Sequence, residues 1–186
     1  MAKHARKAKR AKVGKAKATK ALAKKTRSSG SNRDLLRHAV ATVAYRGGKA
    51  LRGAPDGFAE FRAGESSRTP GQLLSHLGDL FDWALSMSKG DGRWRGSDPL
   101  PWDQGSERFF LTLEAFDGHL ASKAALACPV ERLFQGPVAD ALTHVGQIVM
   151  LRRLAGTPMR SENYFQAEIV AGRAGANQTA PKSEFD

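Results

Sequence analysis

Asp140 and His144 stand four residues apart in the stretch 136–156, a spacing that on a helix projects a carboxylate and an imidazole side by side from successive turns. Two such groups can bite one divalent cation, because both offer a lone pair to a common point. An acid in the first turns of a helix also serves the dipole without any metal, so the pair alone leaves both readings open. Gln147 lies on the same stripe, where it could orient a ligand or make only a structural hydrogen bond, and Leu151 follows it. A second histidine, His76, shares a helical stripe with Leu80, Trp83 and Met87; taken alone it fits a satisfied core position better than a ligand.

The elements that must position these groups carry clear end signals. For the Asp140/His144 helix, Gly136 and Pro137 mark a start, with Pro137 at the first helical position. Gly156 and Pro158 mark the stop, and Arg152 and Arg153 suit the negative end of its dipole. Val138, Ala141, Leu142, Val145, Ile148, Val149 and Arg152 form its buried arc. The His76 helix starts at Thr69-Pro70-Gly71-Gln72, a capping-box pattern with proline at the first helical position, and stops before Gly90.

Two further helices complete the set. One begins after Ser31 or Asn32 and buries Leu35, Leu36, Ala39, Val40 and Val43, with Gly47-Gly48 and Gly53 weakening its far end. The other runs over about 106–127 with Phe109, Leu113, Phe116 and Leu120 inward, and ends at Cys128-Pro129. The connections 53–68 and 90–105 read as loops, the second carrying Trp94 and Trp102 as candidate pocket walls beside Trp83. Ser161 caps a short helical segment, 162–171, whose Tyr164 could reach a pocket mouth, and a polar extension follows from Arg173. There is no strand alternation, internal repeat, phosphate loop or Cys/His finger, so the expected fold is all-α, a four-helix bundle over 31–172 between a tail, 1–30, and an extension, 173–186.

Composition restricts the setting. Cys128 is the single cysteine, which excludes an internal disulfide and suits a reducing, cytoplasmic compartment. No apolar run reaches the roughly 18–20 residues of a membrane span. The net charge of +12 resides in the tail: residues 1–30 hold twelve basic residues, Lys7, Lys9, Arg10 and Lys12 among them, and no acid, while the remaining 18 basic residues balance 18 acidic ones. Such a segment, built of Ala, Lys and Arg, cannot offset its own ordering entropy and should be disordered alone. It could hold DNA or RNA through counterion release without reading sequence.

Thr69-Pro-Gly-Gln-Leu-Leu-Ser-His76 resembles the second-helix motif of the DinB-like (DinB/YfiT) superfamily of metal-dependent four-helix-bundle proteins. Asp140-Ala-Leu-Thr-His144-Val-Gly-Gln147 resembles its fourth-helix motif, usually His-x-x-x-His running into Gly-Gln, and Leu151-Arg-Arg-Leu-Ala-Gly156 its usual ending. The resemblance spans about 31–172 and implies that His76, Asp140 and His144 meet as a three-ligand metal site. Asp140 departs from the pattern by replacing a histidine, and two histidines with one carboxylate suit zinc, nickel or iron with an open position. The resemblance further implies a metal-dependent transferase or hydrolase acting on a small-molecule substrate, with a low-molecular-weight thiol as cofactor. A non-catalytic bundle tethered to nucleic acid by its tail is the alternative, and homodimerisation stays open.

Overall fold

Helix α1 covers residues 32–51 of the computed structural model, which describes residues 32–122 and 124–186. Leu36, Val40, Val43 and Ala44 recur at the helical period and are buried. Leu35, expected on that side, is 70% exposed, because one residue of helix turns it about 100° away from Leu36. Helix α1 continues through Gly47-Gly48 to Leu51. A Cβ on Gly47 would lie 2.7 and 2.8 Å from two ring carbons of Phe109, so the bare backbone is what lets the ring pack there.

Helix α2, Pro70–Lys89, starts as its cap residues require. Thr69 Oγ1 accepts the Gln72 N–H at 3.2 Å and the Gln72 side-chain oxygen accepts the Thr69 N–H at 2.9 Å, and Gly90 closes the helix at φ 93°. Gly71 faces the 3₁₀ turn Phe58–Glu60, where a Cβ would come within 3.0 Å of the Ala59 carbonyl oxygen.

Helix α3, Trp102–Ala121, begins and ends earlier than expected. Pro101 supplies the preset backbone for its entry and its carbonyl accepts the Gly105 N–H at 2.8 Å, which places Ser106 inside the first turns rather than at the cap. At the far end Ser122 turns extended, its hydroxyl donating to the His119 carbonyl and accepting the Ala124 N–H, so a local side-chain bond stops the helix before Cys128.

The fourth helical run, α4, combines Val130–Leu133, a π turn at Phe134–Val138 and Ala139–Leu154. Pro137 is therefore not at the first helical position but within the π turn. A proline there lacks the N–H that an α ladder needs and crowds the preceding turn, and the wider π turn accommodates both. Upstream of it, the Pro129 carbonyl accepts the N–H groups of Arg132 and Leu133 and starts the helix seven residues early.

These four helices share one apolar core, in which Phe81, Phe109 and Phe116 are fully buried. Phe81 lies 6.4 Å from Phe109 and 6.2 Å from Phe116, centroid to centroid, and burying each ring stabilises the fold by roughly 1.5–3 kcal/mol. Leu36–Asp186 form one compact unit; of the unit Met1–Leu35, only the first turn of α1 is described. The basic tail, with Lys7, Lys9, Arg10 and Lys12, lies outside the described residues. No helix among them is long and apolar enough to cross a membrane.

The C-terminal segment differs from the helical expectation. Ser161–Glu162 form a short strand, β1, paired antiparallel with β2, Glu184–Phe185. Residues after Arg173 thus return to the chain that leaves α4. Glu162 explains the pairing: buried, it accepts the Tyr45 hydroxyl at 2.7 Å and Lys49 Nζ at 2.9 Å, and Glu184 meets the same ammonium at 2.6 Å. Tyr45 and Lys49 are on the side of α1 opposite Val40, so the strand pair covers a second face of that helix. Burial alone would raise the Glu162 carboxyl, but the bonds from Lys49 and Tyr45 outweigh it and hold the group below the usual carboxylate range.

Candidate metal centre

Helices α2 and α4 lie together, and His76 from the first meets Asp140 and His144 from the second. His76 Nε2 is 3.6 Å from Asp140 Oδ2, His144 Nε2 is 3.4 Å from Asp140 Oδ1, and the two imidazole centroids are 4.8 Å apart. One ligand atom from each residue lies within 4.8 Å of the other two.

The local sequence places these groups. The π turn ends immediately before Ala139, so Asp140 and His144 begin a regular α segment in which four residues bring them to one side. His144 is buried while Asp140 is about half exposed, which sets the triad at the mouth of a cavity of about 550 Å³. Leu73, Met150 and Leu151 form its apolar wall, and Ser67 and Arg68 edge it from the loop before α2.

The triad's contacts are loose ion pairs, and the same group could hold a cation. Nitrogen–oxygen separations of 3.4 and 3.6 Å exceed good hydrogen-bond lengths. The two contacts use different oxygens of Asp140, and one ligand atom from each residue lies close enough to the other two that the group could hold a divalent ion. Gln147 sits behind one ligand: its side-chain oxygen is 2.9 Å from His144 Nδ1, a contact that suits the tautomer with the proton on Nδ1 and a lone pair on Nε2 toward Asp140. His76 is pushed below the ordinary histidine value by burial first, then by His144 and the Arg68 cation, with Asp140 opposing. The lowered value of His76 favours its neutral ring, the form that ligates a metal.

The tryptophans divide. Trp94 packs on the His76 ring, centroids 5.5 Å apart, and Trp83 abuts Trp94 at 5.6 Å while donating Nε1–H to the Gly92 carbonyl. Their loop is pinned by buried Asp79, which accepts the Ser97 N–H at 3.0 Å, the Ser97 hydroxyl at 2.7 Å and Arg108 at 2.8 Å. Trp102 lies elsewhere, as the first residue of α3, edge-on to Phe58 at 5.3 Å. Tyr164 also lies apart from the cavity, edge-on to Tyr45 at 6.3 Å with the Arg46 guanidinium 4.4 Å above its ring.

Ser67, Arg68, Leu73 and Met150 complete the cavity without having been singled out in the sequence. Leu73 precedes His76 by one turn and Met150 follows Gln147 by one turn, so both were legible from helical spacing. Ser67 and Arg68 lie in a loop, where no period assigns a direction.

Compared with models of protein families, with curated proteins and with solved structures, the chain matches none.

Proposed function

We propose that His76, Asp140 and His144 bind one divalent metal ion, zinc, nickel or iron, and that the chain is a metal-dependent transferase or hydrolase acting on a small electrophile. The observation that carries the reading is the convergence of two imidazoles and a carboxylate from two helices, with one ligand atom of each within 4.8 Å of the other two. Two nitrogens and one oxygen form a donor set of borderline softness, which fits these three metals better than calcium or magnesium. Such an ion, when bound with an open position, acts as a Lewis acid that lowers the pKa of a coordinated water or thiol or polarises a carbonyl.

The chain's own residues supply the rest. Gln147 orients His144, Leu73 and Leu151 keep one side of the site apolar, and the half-exposed Asp140 leaves the other side open to a substrate. The likeness of Thr69–His76 and of Asp140–Gln147 to DinB-like motifs supports a low-molecular-weight thiol as the nucleophile.

Elemental analysis of purified protein tests the assignment. About one equivalent of zinc, nickel or iron is expected, and it falls in both Asp140→Ala and His144→Ala. Full stoichiometric metal in either variant, or none in the native protein after reconstitution, sinks it.

A second reading concerns the tail. Its twelve basic residues without an acid favour a non-specific contact with DNA or RNA. Binding should weaken steeply with salt and vanish when residues 1–30 are deleted; binding that survives the deletion contradicts it.

A further inference from the structure

Arg68 is the cation at the edge of the cavity that holds His76, Asp140 and His144. It is exposed, and among the described residues it has no hydrogen-bond or ion-pair partner. Its surroundings nevertheless hold its backbone in place. Thr69 is extended, at φ −76° and ψ 158°, as the residue before a proline must be, and the capping box ties it to the first turn of α2. On the other side, the Ser67 hydroxyl donates to the Gly64 carbonyl at 2.7 Å and accepts the Gly64 N–H at 3.1 Å, while the Ser67 carbonyl accepts from Arg62 at 3.2 Å. An unpaired guanidinium is thus presented from a tied loop.

The charges in the cavity are lopsided. Asp140 is the one acid among the described residues that line it, and Asp140 is assigned to the metal. A divalent ion with a single carboxylate ligand and a neighbouring guanidinium leaves an excess of positive charge in a cleft with apolar walls, where fields are focused rather than screened. The guanidinium fork matches an oxyanion with two parallel N–H donors. Leu73, Leu151 and the exposed Met150 offer the remainder of the ligand an apolar surface.

We infer that Arg68 binds the anionic group of the molecule that enters this cavity, so that the substrate is a small organic oxyanion, a carboxylate or phosphonate type, with an apolar body. This rests on the metal reading for the reacting end of the site, but the anion end can be tested separately.

The test uses titration calorimetry on the full chain, zinc-reconstituted and metal-free, as native protein and as Arg68→Gln, with zinc content measured in parallel. The probes are 3-phenylpropionate, 2-phenylethylphosphonate and the neutral 3-phenylpropanamide. Native protein should bind at least one of the anions about tenfold more tightly than the amide, a factor typical of a hydrogen bond to a charged group. In Arg68→Gln that preference disappears, while amide affinity and zinc content stay unchanged. The inference is overturned if Arg68→Gln keeps the anion preference, or if neither anion exceeds the amide in native protein. Zinc held together with Arg68-independent anion binding overturns this inference and leaves the metal reading intact. An Arg68-dependent preference in a protein that takes up no zinc upholds it and defeats the metal reading.

Discussion

The bond between Gln147 and His144 gives the sharpest test of how the candidate centre is prepared. Gln147→Leu leaves a branched apolar side chain one atom shorter and removes the acceptor 2.9 Å from His144 Nδ1. Two losses follow. The hydrogen bond itself stabilises the oriented ring by about 0.5–1.5 kcal/mol. Without it the imidazole can also place its proton on Nε2, the nitrogen that faces Asp140, and that tautomer cannot ligate through Nε2. Partners of metal-bound histidines are worth about 10–100-fold in affinity, and since Gln147 is exposed the lower figure applies, so zinc should bind about tenfold more weakly. Gln147→Glu should do the opposite, because a carboxylate acceptor makes the charge-assisted bond and raises the basicity of the ligand nitrogen. The assay is competition for zinc against a chromophoric chelator at neutral pH, with thermal unfolding of the metal-free proteins as a control. Loss of that one bond should lower the stability of the metal-free Leu variant by no more than about 1.5 kcal/mol. Zinc affinity within twofold of native in Gln147→Leu, or equal weakening by Leu and Glu, would refute the reasoning.

Two further outcomes follow from buried charge. Arg152 is buried and donates to the carbonyls of Ala50, Arg52, Gly53 and Thr157, so Arg152→Met should lower stability by about 2–4 kcal/mol, measured by urea unfolding; a loss under about 1 kcal/mol contradicts the capping role. Glu162, whose carboxyl is held low, stabilises the fold above its unfolded value near about 4.3 and ceases to as pH falls through its lower folded value. Glu162→Gln should cost about 1–3 kcal/mol at neutral pH and flatten the acid limb of the stability profile, while an unchanged acid limb would show that Glu162 does not govern it.

The pairing of Asp140 with His144 was readable because a helix has a fixed period: four residues advance about one turn whatever the surroundings. The same rule made the α2 start legible, since Thr69, Pro70 and Gln72 satisfy one another's needs within four residues. Pro137 misled for an instructive reason. A proline at the first helical position and a proline inside a π turn look alike in sequence, and only the packing of Leu133 and Val138 into the core decides between them. Arg152 shows the complementary failure. Its place near the end of α4 suggested service to that helix's dipole, yet its guanidinium reaches back about a hundred residues to close α1, with bonds to Ala50, Arg52 and Gly53.

Sequence alone determined what local rules govern: the helical class, the cap at Thr69, the Asp140/His144 stripe with Gln147 behind it, and the concentration of excess charge in residues 1–30. Tertiary structure decided what depends on distant segments meeting. It brought His76 from α2 to Asp140, turned Trp94 onto His76 but Trp102 onto Phe58, and set Arg68 beside the triad. It also folded the C-terminal segment back over Tyr45 and Lys49, because a strand pair bringing Glu162 and Glu184 to one buried ammonium satisfies charges that an isolated helix over 162–171 would leave unpaired.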